Sequence, residues 1–377
     1  MSASSVKWVQ LGEYIEPCDE RNSEGKYTLE DVRGISIQKK LIFTKADMQG
    51  VSLTPYKLLK PREFSYVTVT SRNGGKISLA INDTENTYIV SSSYENFRCK
   101  DVSILLPEYL FLLLSRSEFD RYSRFNSWGS ARETFDWSEF WRTEIPLPSI
   151  EVQQELVDTY NGLKALAEQN EALIEPLSKA CEAFIVDCKT KYPEVELGEY
   201  IEPCDERNND GKYTLDDVRG ISTDKKFIST KANMDGVSLT SYKVVNPNEF
   251  AYVADTSRRG DKIALALSST SSAVLISSIY TAFRSKDIDK LLPGYLYLIL
   301  SRSEFDRYSR FNSWGSARET FDWSELCRVK IPLPPIEEQR SIVNIYTCLE
   351  EAKKIASEAR EKLKTLCSAL VQRAANS

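Results

Sequence analysis

Residues 115–139 read SRSEFDRYSRFNSWGSARETFDWSE, and residues 301–325 read the same, letter for letter. The offset is 186 residues. Working outward, the same offset maps LGEYIEPCDERN at 11–22 onto 197–208, GKYTL at 25–29 onto 211–215, and IPLP at 145–148 onto 331–334. No insertion or deletion separates these anchors. The chain is therefore a tandem duplication, and whatever is inferred for one copy must also hold for the other.

With 377 residues and two copies, each unit has the size of a domain. A hydrophobic fraction of 41% can furnish a core in each, and 28% charged residues of mixed sign suit a soluble protein. No apolar run reaches the ~20 residues of a membrane span. The start, MSASSVKWVQL, lacks the pattern of a signal peptide, so a cytoplasmic location is expected. Eight cysteines without a CxxC pair read as reduced thiols, and with no histidine a zinc site is not expected. The lack of histidine also excludes Ser-His-Asp and Cys-His catalysis and a histidine general base. A net charge of −6 runs against a generic nucleic-acid binder, so any DNA contact must rest on local positive charge or on a partner.

Each copy follows one order. After Leu11-Gly12-Glu13 (Leu197-Gly198-Glu199) come β-like runs at 64–70, 76–81 and 88–92, repeated at 250–256, 262–267 and 274–278. One short helix is predicted over 107–120 and again over 293–306, opened by Pro107 and Pro293. The Ile-Pro-Leu-Pro segments read as rigid extended connectors. Long helices follow at about 150–188 and 336–374. Leu163, Leu166, Asn170, Leu173, Leu177, Ala180 and Phe184 recur in steps of three and four, as do Leu349, Ala352, Ala356, Ala359, Leu363, Leu366 and Leu370. That is a coiled-coil seam, and Pro176 should kink the first helix.

The expected fold is α+β: β-rich domains at 1–149 and 191–335, with helices at 150–190 and 336–377. The short linker after the first helix makes the two helices antiparallel, with a domain at each end and a pseudo-twofold axis between them. Helices of about 55 Å would span about sixteen base pairs of duplex. Such a two-point ruler suits a bipartite DNA site. The alternative is a coiled-coil adaptor that binds two copies of a protein; loss of DNA retention after replacing Arg72 and Arg258 would speak against it.

The ordered set of Leu-Gly-Glu, a β-rich domain, Gly-Ser-Ala-Arg (129–132; 315–318) and Ile-Pro-Leu-Pro-x-Ile-x-x-Gln (Ile145 to Gln153; Ile331 to Gln339) before a long helix resembles the specificity subunit of Type I restriction-modification systems. The resemblance covers nearly the whole chain, twice over. It implies two target-recognition domains that each read half of a split DNA sequence, and helices that fix the gap. It also implies two modification subunits that methylate adenine with S-adenosylmethionine, and restriction subunits that can join. This chain itself would hold no catalytic centre and no cofactor. In agreement, the sequence has no methyltransferase Asn/Asp-Pro-Pro-Tyr/Phe motif and no GxxxxGK[ST] loop. Domains this alike should read similar half-sites in inverted orientation, giving a nearly palindromic split target.

Two groups of residues are candidates for DNA contact. The first is Arg121, Arg124, Asn126, Ser127 and Arg132, mirrored by Arg307, Arg310, Asn312, Ser313 and Arg318. Arginine suits guanine or phosphate, Asn suits adenine and Ser suits phosphate. These residues could equally pair with Glu118, Asp120, Glu133 and Asp136 in a structural hinge, since a segment identical in both copies cannot tell two half-sites apart. Trp128 and Trp314 are expected in the core. The second group is a variable basic turn, Arg72, Asn73 and Lys76, matched by Arg258, Arg259 and Lys262. Asn96, Arg98 and Lys100, with Arg284 and Lys286, are weaker candidates.

Overall fold

A computed structural model describes residues 7–71, 74–130, 132–230, 232–257, 260 and 262–376, and side chains up to 366. The chain divides into two compact units, Met1–Gln169 with Ile355–Ser377, and Asn170–Lys354.

The first unit contains β1 (Lys7–Gln10), β2 (Ile15–Cys18), β3 (Arg33–Ile35), β4 (Leu41–Phe43), β5 (Lys57–Leu59), β6 (Phe64–Val67), β7 (Leu79–Ile81), β8 (Tyr88–Val90) and β9 (Tyr94–Cys99). Helices α1 (Pro107–Leu114), α2 (Ser117–Phe125) and α3 (Trp137–Trp141) follow, then β10 (Glu144–Leu147) and the start of the long helix α4 (Ile150–Lys191). Strands β2-β9-β6-β7 form an antiparallel sheet, while β5–β8, β3–β4 and β1–β10 are two-stranded ribbons.

Side-chain alternation decides what each face of the sheet touches. Phe64 and Tyr66 of β6 and Phe97 of β9 turn toward the helices, where they share a core with Leu110, Phe119, Phe135 and Phe140. The Phe64 and Phe97 rings stack at 4.7 Å, and Tyr66 stacks on Phe140 at 4.9 Å. Between them in the alternation, Ser65 and Asn96 are buried too, and the Asn96 amide donates to the Leu58 carbonyl of β5 at 2.9 Å.

The second unit repeats this order. It has β11 (Glu194–Glu196), β12 (Ile201–Cys204), β13 (Arg219–Ile221), β14 (Phe227–Ser229), β15 (Lys243–Val245), β16 (Phe250–Tyr252), β17 (Leu265–Leu267), β18 (Val274–Ile276) and β19 (Thr281–Ser285). Then come α5 (Pro293–Leu300), α6 (Ser303–Phe311), α7 (Trp323–Cys327), β20 (Lys330–Pro332) and α8 (Ile336–Asn376). The sheet order β12-β19-β16-β17 is that of the first unit. Where the first unit has Ser65 and Asn96, the second has Ala251 and Ala282, which join an apolar cluster with Val245 and Ile276.

The structure corrects four local expectations. The single helix at 107–120 is two helices, because Arg116 is extended at ψ 152° and ends the first turn run at Leu114. This break lets both Leu110 and Phe119 reach one core. The strand predicted over 64–70 leaves the sheet at Val67, and the one over 76–81 joins it only at Leu79. The proline connector is itself paired: β10 lies antiparallel to β1 with Pro146 opposite Trp8. That ribbon has only two strands, so a missing proline N–H leaves no inner neighbour unbonded.

The fourth correction concerns the long helices, which pack together antiparallel. In the second unit Tyr192 at the end of α4 donates to Glu338 at the start of α8 over 2.5 Å. Further back along α4, Cys181 lies within electrostatic reach of Lys353 and Tyr346, so the partners' numbers run in opposite directions. On α8 the expected seam holds: Leu349, Ala352, Ala356, Ala359 and Leu363 are buried and Leu366 is half-buried, while the Leu370 side chain lies outside the described ones. On α4 the seam is rotated. Leu163, Leu177 and Phe184 are half-buried, but Leu166 is 42% and Leu173 50% exposed, and Ala180 is exposed. Ala167, Cys181, Ile185 and Cys188 are buried instead, one residue further along than Leu166 and Ala180. Leu166 and Leu173 turn outward.

Candidate nucleic-acid interface

The identical stretch forms α2, a tight turn and the entry to α3. After β6, residues 68–70 peel away from the sheet and run beside it. Phe135 N–H donates to Thr68 O at 2.8 Å, and Thr70 N–H donates to Glu133 O at 3.0 Å. Trp128 and Thr134 exchange backbone hydrogen bonds of 3.0 and 2.9 Å, which closes the turn between them. Gly129 sits in that turn at φ +138°, and a Cβ there would lie 2.2 Å from the Arg132 carbonyl oxygen, so only glycine fits. The turn is therefore held beside Thr70, where the chain enters the basic loop.

A third loop joins them from below. Lys39, in the β3–β4 hairpin at φ +60°, extends a buried ammonium to Asp120 of α2 at 2.6 Å and to the Ile77 carbonyl at 2.8 Å. The Ile77 N–H also donates to Asp120 at 3.2 Å. Burial pushes the Lys39 ammonium below the usual lysine value, and Asp120 works against that shift. One carboxylate thus fixes the far end of the 71–76 loop, the hairpin and α2 together. The second unit repeats the cluster, with Lys225 on Asp306, Lys225 on the Ile263 carbonyl at 2.8 Å, and Ile263 N–H on Asp306 at 3.1 Å.

The rim of these three loops is basic and aromatic. Lys40, Lys76 and Arg132 are exposed, and Arg121 is 73% exposed, 3.8 Å from Glu118. Lys226, Lys262, Arg307 and Arg318 are exposed in the second unit. Arg124 is tied to Glu133, as Arg310 is to Glu319 at 2.5 Å, so each bridges its helix to the turn and has its charge met by a carboxylate. Trp128 and Trp314 are both 63% exposed, not in the core, and Phe125 and Phe311 beside them are more exposed still. The core is filled from the same stretch by Phe119 and Phe135 (Phe305 and Phe321), which leaves these rings no place inside.

Other candidates make hydrogen bonds or ion pairs within their own unit. Ser127 is buried; its hydroxyl donates to Ser123 O at 2.6 Å and accepts from Thr70 at 2.8 Å. Ser313 does the same with Ser309 and Thr256 at 2.6 and 2.8 Å. The Asn126 and Asn312 amides close the last turns of α2 and α6 through Tyr122 O at 3.0 Å and Tyr308 O at 2.9 Å. Asn96 is buried in the sheet. Lys100 and Lys286 donate to the carbonyls of the Leu-Gly-Glu turn, at Gly12 and Gly198 and the glutamates after them, at 3.0–3.1 Å. Arg98 belongs to a cross-strand ion pair with Glu16 at 2.7 Å, and Arg284 to one with Glu202 at 2.8 Å. Arg72, Asn73, Arg258 and Arg259 lie outside the described residues.

Sequence reasoning missed the hairpin lysines, although the pair Lys39-Lys40 recurs as Lys225-Lys226. Among the described residues no cluster could hold a metal ion, and no helix is long and apolar enough to cross a membrane. The rim presents exposed cations and exposed rings on segments tied to the body of each unit.

Comparison with known proteins agrees with this geometry. Residues 26–177 and 199–365 both match the family model of the Type I restriction modification DNA specificity domain. The crystal structure of the Type I restriction-modification system S subunit from M. genitalium superposes with a TM-score of 0.57 at 14% identity, covering 98% of each chain. It has the same fold. The HsdS subunit from Thermoanaerobacter tengcongensis aligns at 20% identity over 100% of this chain and 97% of its own, with a TM-score of 0.38. No curated protein sequence matches.

Proposed function

The chain belongs to the Type I restriction modification DNA specificity family, and we propose that it reads a split DNA site, one half per unit, for a methylating and restricting complex. The observation that carries this reading is the rim itself. Lys40, Lys76 and Arg121 stand on a hairpin, a loop and a helix joined at one buried carboxylate, Arg132 and Trp128 stand on the turn bonded to Thr70, and the same bonds recur in the second unit. A protein with net charge −6 that concentrates exposed cations and rings on such a rim has the local positive charge that DNA contact requires.

Contacts identical in both units hold the phosphates. Base discrimination falls to rim positions that differ, foremost the hairpin tip, Ile37-Gln38 against Thr223-Asp224, and the 71–76 loop. Because the units are so alike, the half-sites are similar and inverted. The chain is non-catalytic and cytoplasmic. It works with two modification subunits, which use S-adenosylmethionine to methylate adenine, and with restriction subunits.

A long-read methylation map of cells expressing the chain with its methyltransferase tests this. The expected result is N6-methyladenine on both strands of one split motif with a fixed gap. A fully assembled complex that leaves no motif refutes the DNA reading; two unrelated half-sites refute the inverted repeat.

A further inference from the structure

The most recognisable motif of the chain ends in a glutamine, Gln153 and Gln339, and both are fully buried at 0% exposure. Each sits in the first turn of a long helix and uses its whole amide on the recognition domain beside it. The Gln153 NH₂ donates to Ile104 O and to Pro148 O, and its oxygen accepts from Leu106 N–H, all at 2.9 Å. Gln339 repeats this with Lys290 O at 2.8 Å, Pro334 O at 2.9 Å and Leu292 N–H at 2.9 Å. A second clamp lies next to it. The hydroxyls of Tyr109 and Tyr295 donate to Pro146 O and Pro332 O, both at 2.9 Å. The proline connector, the start of the short helix and the start of the long helix are thus joined by two side chains per unit.

A binding role does not need these groups, since none faces solvent. Their geometry concerns one variable only: the angle at which a long helix leaves its domain. We propose that Gln153 and Gln339, supported by Tyr109 and Tyr295, are positioning residues that set this angle and thereby fix the gap between the two half-sites. The proposal rests on the DNA reading above. A domain of this size has a radius of gyration of about 15 Å, and one base pair advances about 3.4 Å. Moving a contact 15–30 Å from the pivot by one base pair therefore takes a tilt of roughly 7–13°. That is small enough to be prevented by three hydrogen bonds and permitted without them.

The test is the methylation map of the full complex carrying Gln153→Met and Gln339→Met, which keep volume and remove every hydrogen bond of the side-chain amide. The expected result is unchanged half-sites with methylation spread to gaps one base pair shorter and longer, at the expense of the original gap. A single, undiminished original gap overturns the proposal. Should the methionine variant fail to assemble, Tyr109→Phe with Tyr295→Phe decides. It removes one bond per unit, and a broadened gap supports the proposal while an unchanged one overturns it. A wild-type complex without any split motif would instead defeat the DNA reading. A general loss of stability lowers methylation at every site and leaves the gap single, so it also counts against the proposal.

Discussion

Replacing Asp120 with Asn tests whether one buried carboxylate organises the rim. Asn keeps the shape and an acceptor for Lys39 and for Ile77 N–H, but it removes the charge opposite an ammonium whose side chain is only 8% exposed. Leaving one member of a buried pair uncompensated costs about 3–5 kcal/mol. The protein can escape by shedding the Lys39 proton. From an ordinary lysine value of 10.5, that escape costs about 4.8 kcal/mol at pH 7 and about 1.4 kcal/mol at pH 9.5. The ceiling on the penalty therefore drops by about 3.4 kcal/mol across this range.

The sign follows from linkage. Burial already holds the folded Lys39 below its unfolded value, so the unfolded chain binds more protons and stability rises with pH up to about 10.5. Replacing Asp120 with Asn takes away the carboxylate charge that raises the Lys39 value, so the variant should gain more stability on going basic than the wild type does. Urea unfolding read by pulsed hydrogen exchange measures this, with residues 263–267 of the untouched second unit as internal reference. The expected difference is about 3–5 kcal/mol at pH 7, shrinking to about 1–2 kcal/mol at pH 9.5. A difference that is absent at pH 7, or that is the same at both pH values, refutes the reasoning.

Three further outcomes can be checked. Ala167→Asp places a carboxylate in the buried helix seam and should cost about 3–5 kcal/mol, whereas Leu166→Asp, at a side chain 42% exposed, should cost about 1 kcal/mol in urea unfolding; equal effects would restore the unrotated seam. Replacing Phe125 and Trp128 together with Ser should likewise leave thermal stability nearly unchanged, within about 0.5 kcal/mol, while Phe119→Ala from the same stretch should cost about 3–5 kcal/mol. Lys76→Ala and Arg132→Ala should each lower the slope of log affinity against log salt by about 0.9 in DNA titrations over a salt series; an unchanged slope removes that residue from the phosphate contacts.

Much of the architecture was legible because the duplication doubled every signal. Two copies in fixed register separated the β-rich domains from the long helices, and the short linker made those helices antiparallel. The seam on α8 was legible because the repeat of Leu349, Ala352, Ala356, Ala359 and Leu363 falls on the buried face, even though Ile355 and Cys348 lie exposed off it. The seam on α4 was not, because Leu166 and Leu173 extend an apolar pattern onto the neighbouring exposed face. Periodicity reports spacing, and two adjacent stripes one residue apart share it. The break at Arg116 was hidden because no proline or glycine marks it between 108 and 125; in the fold it goes with bringing Phe119 into the core of Phe64, Phe97 and Phe140.

Identity between copies was harder to read at the rim. The repeated stretch contains residues kept for opposite reasons. Phe119, Asp120, Ser123, Ser127 and Phe135 are buried and hold the fold, while Arg121, Phe125, Trp128 and Arg132 are exposed and the fold does not need their side chains. Sequence spacing cannot separate these sets, because an arginine and the aspartate beside it look like one ion pair until burial distinguishes them. Asp120 in fact ignores Arg121 and takes Lys39, 81 residues earlier in the chain. That long-range choice frees Arg121 for solvent. It also means that the charge on the rim is created by the core: one buried pairing decides which cations remain available outside, and the same decision is made in both units.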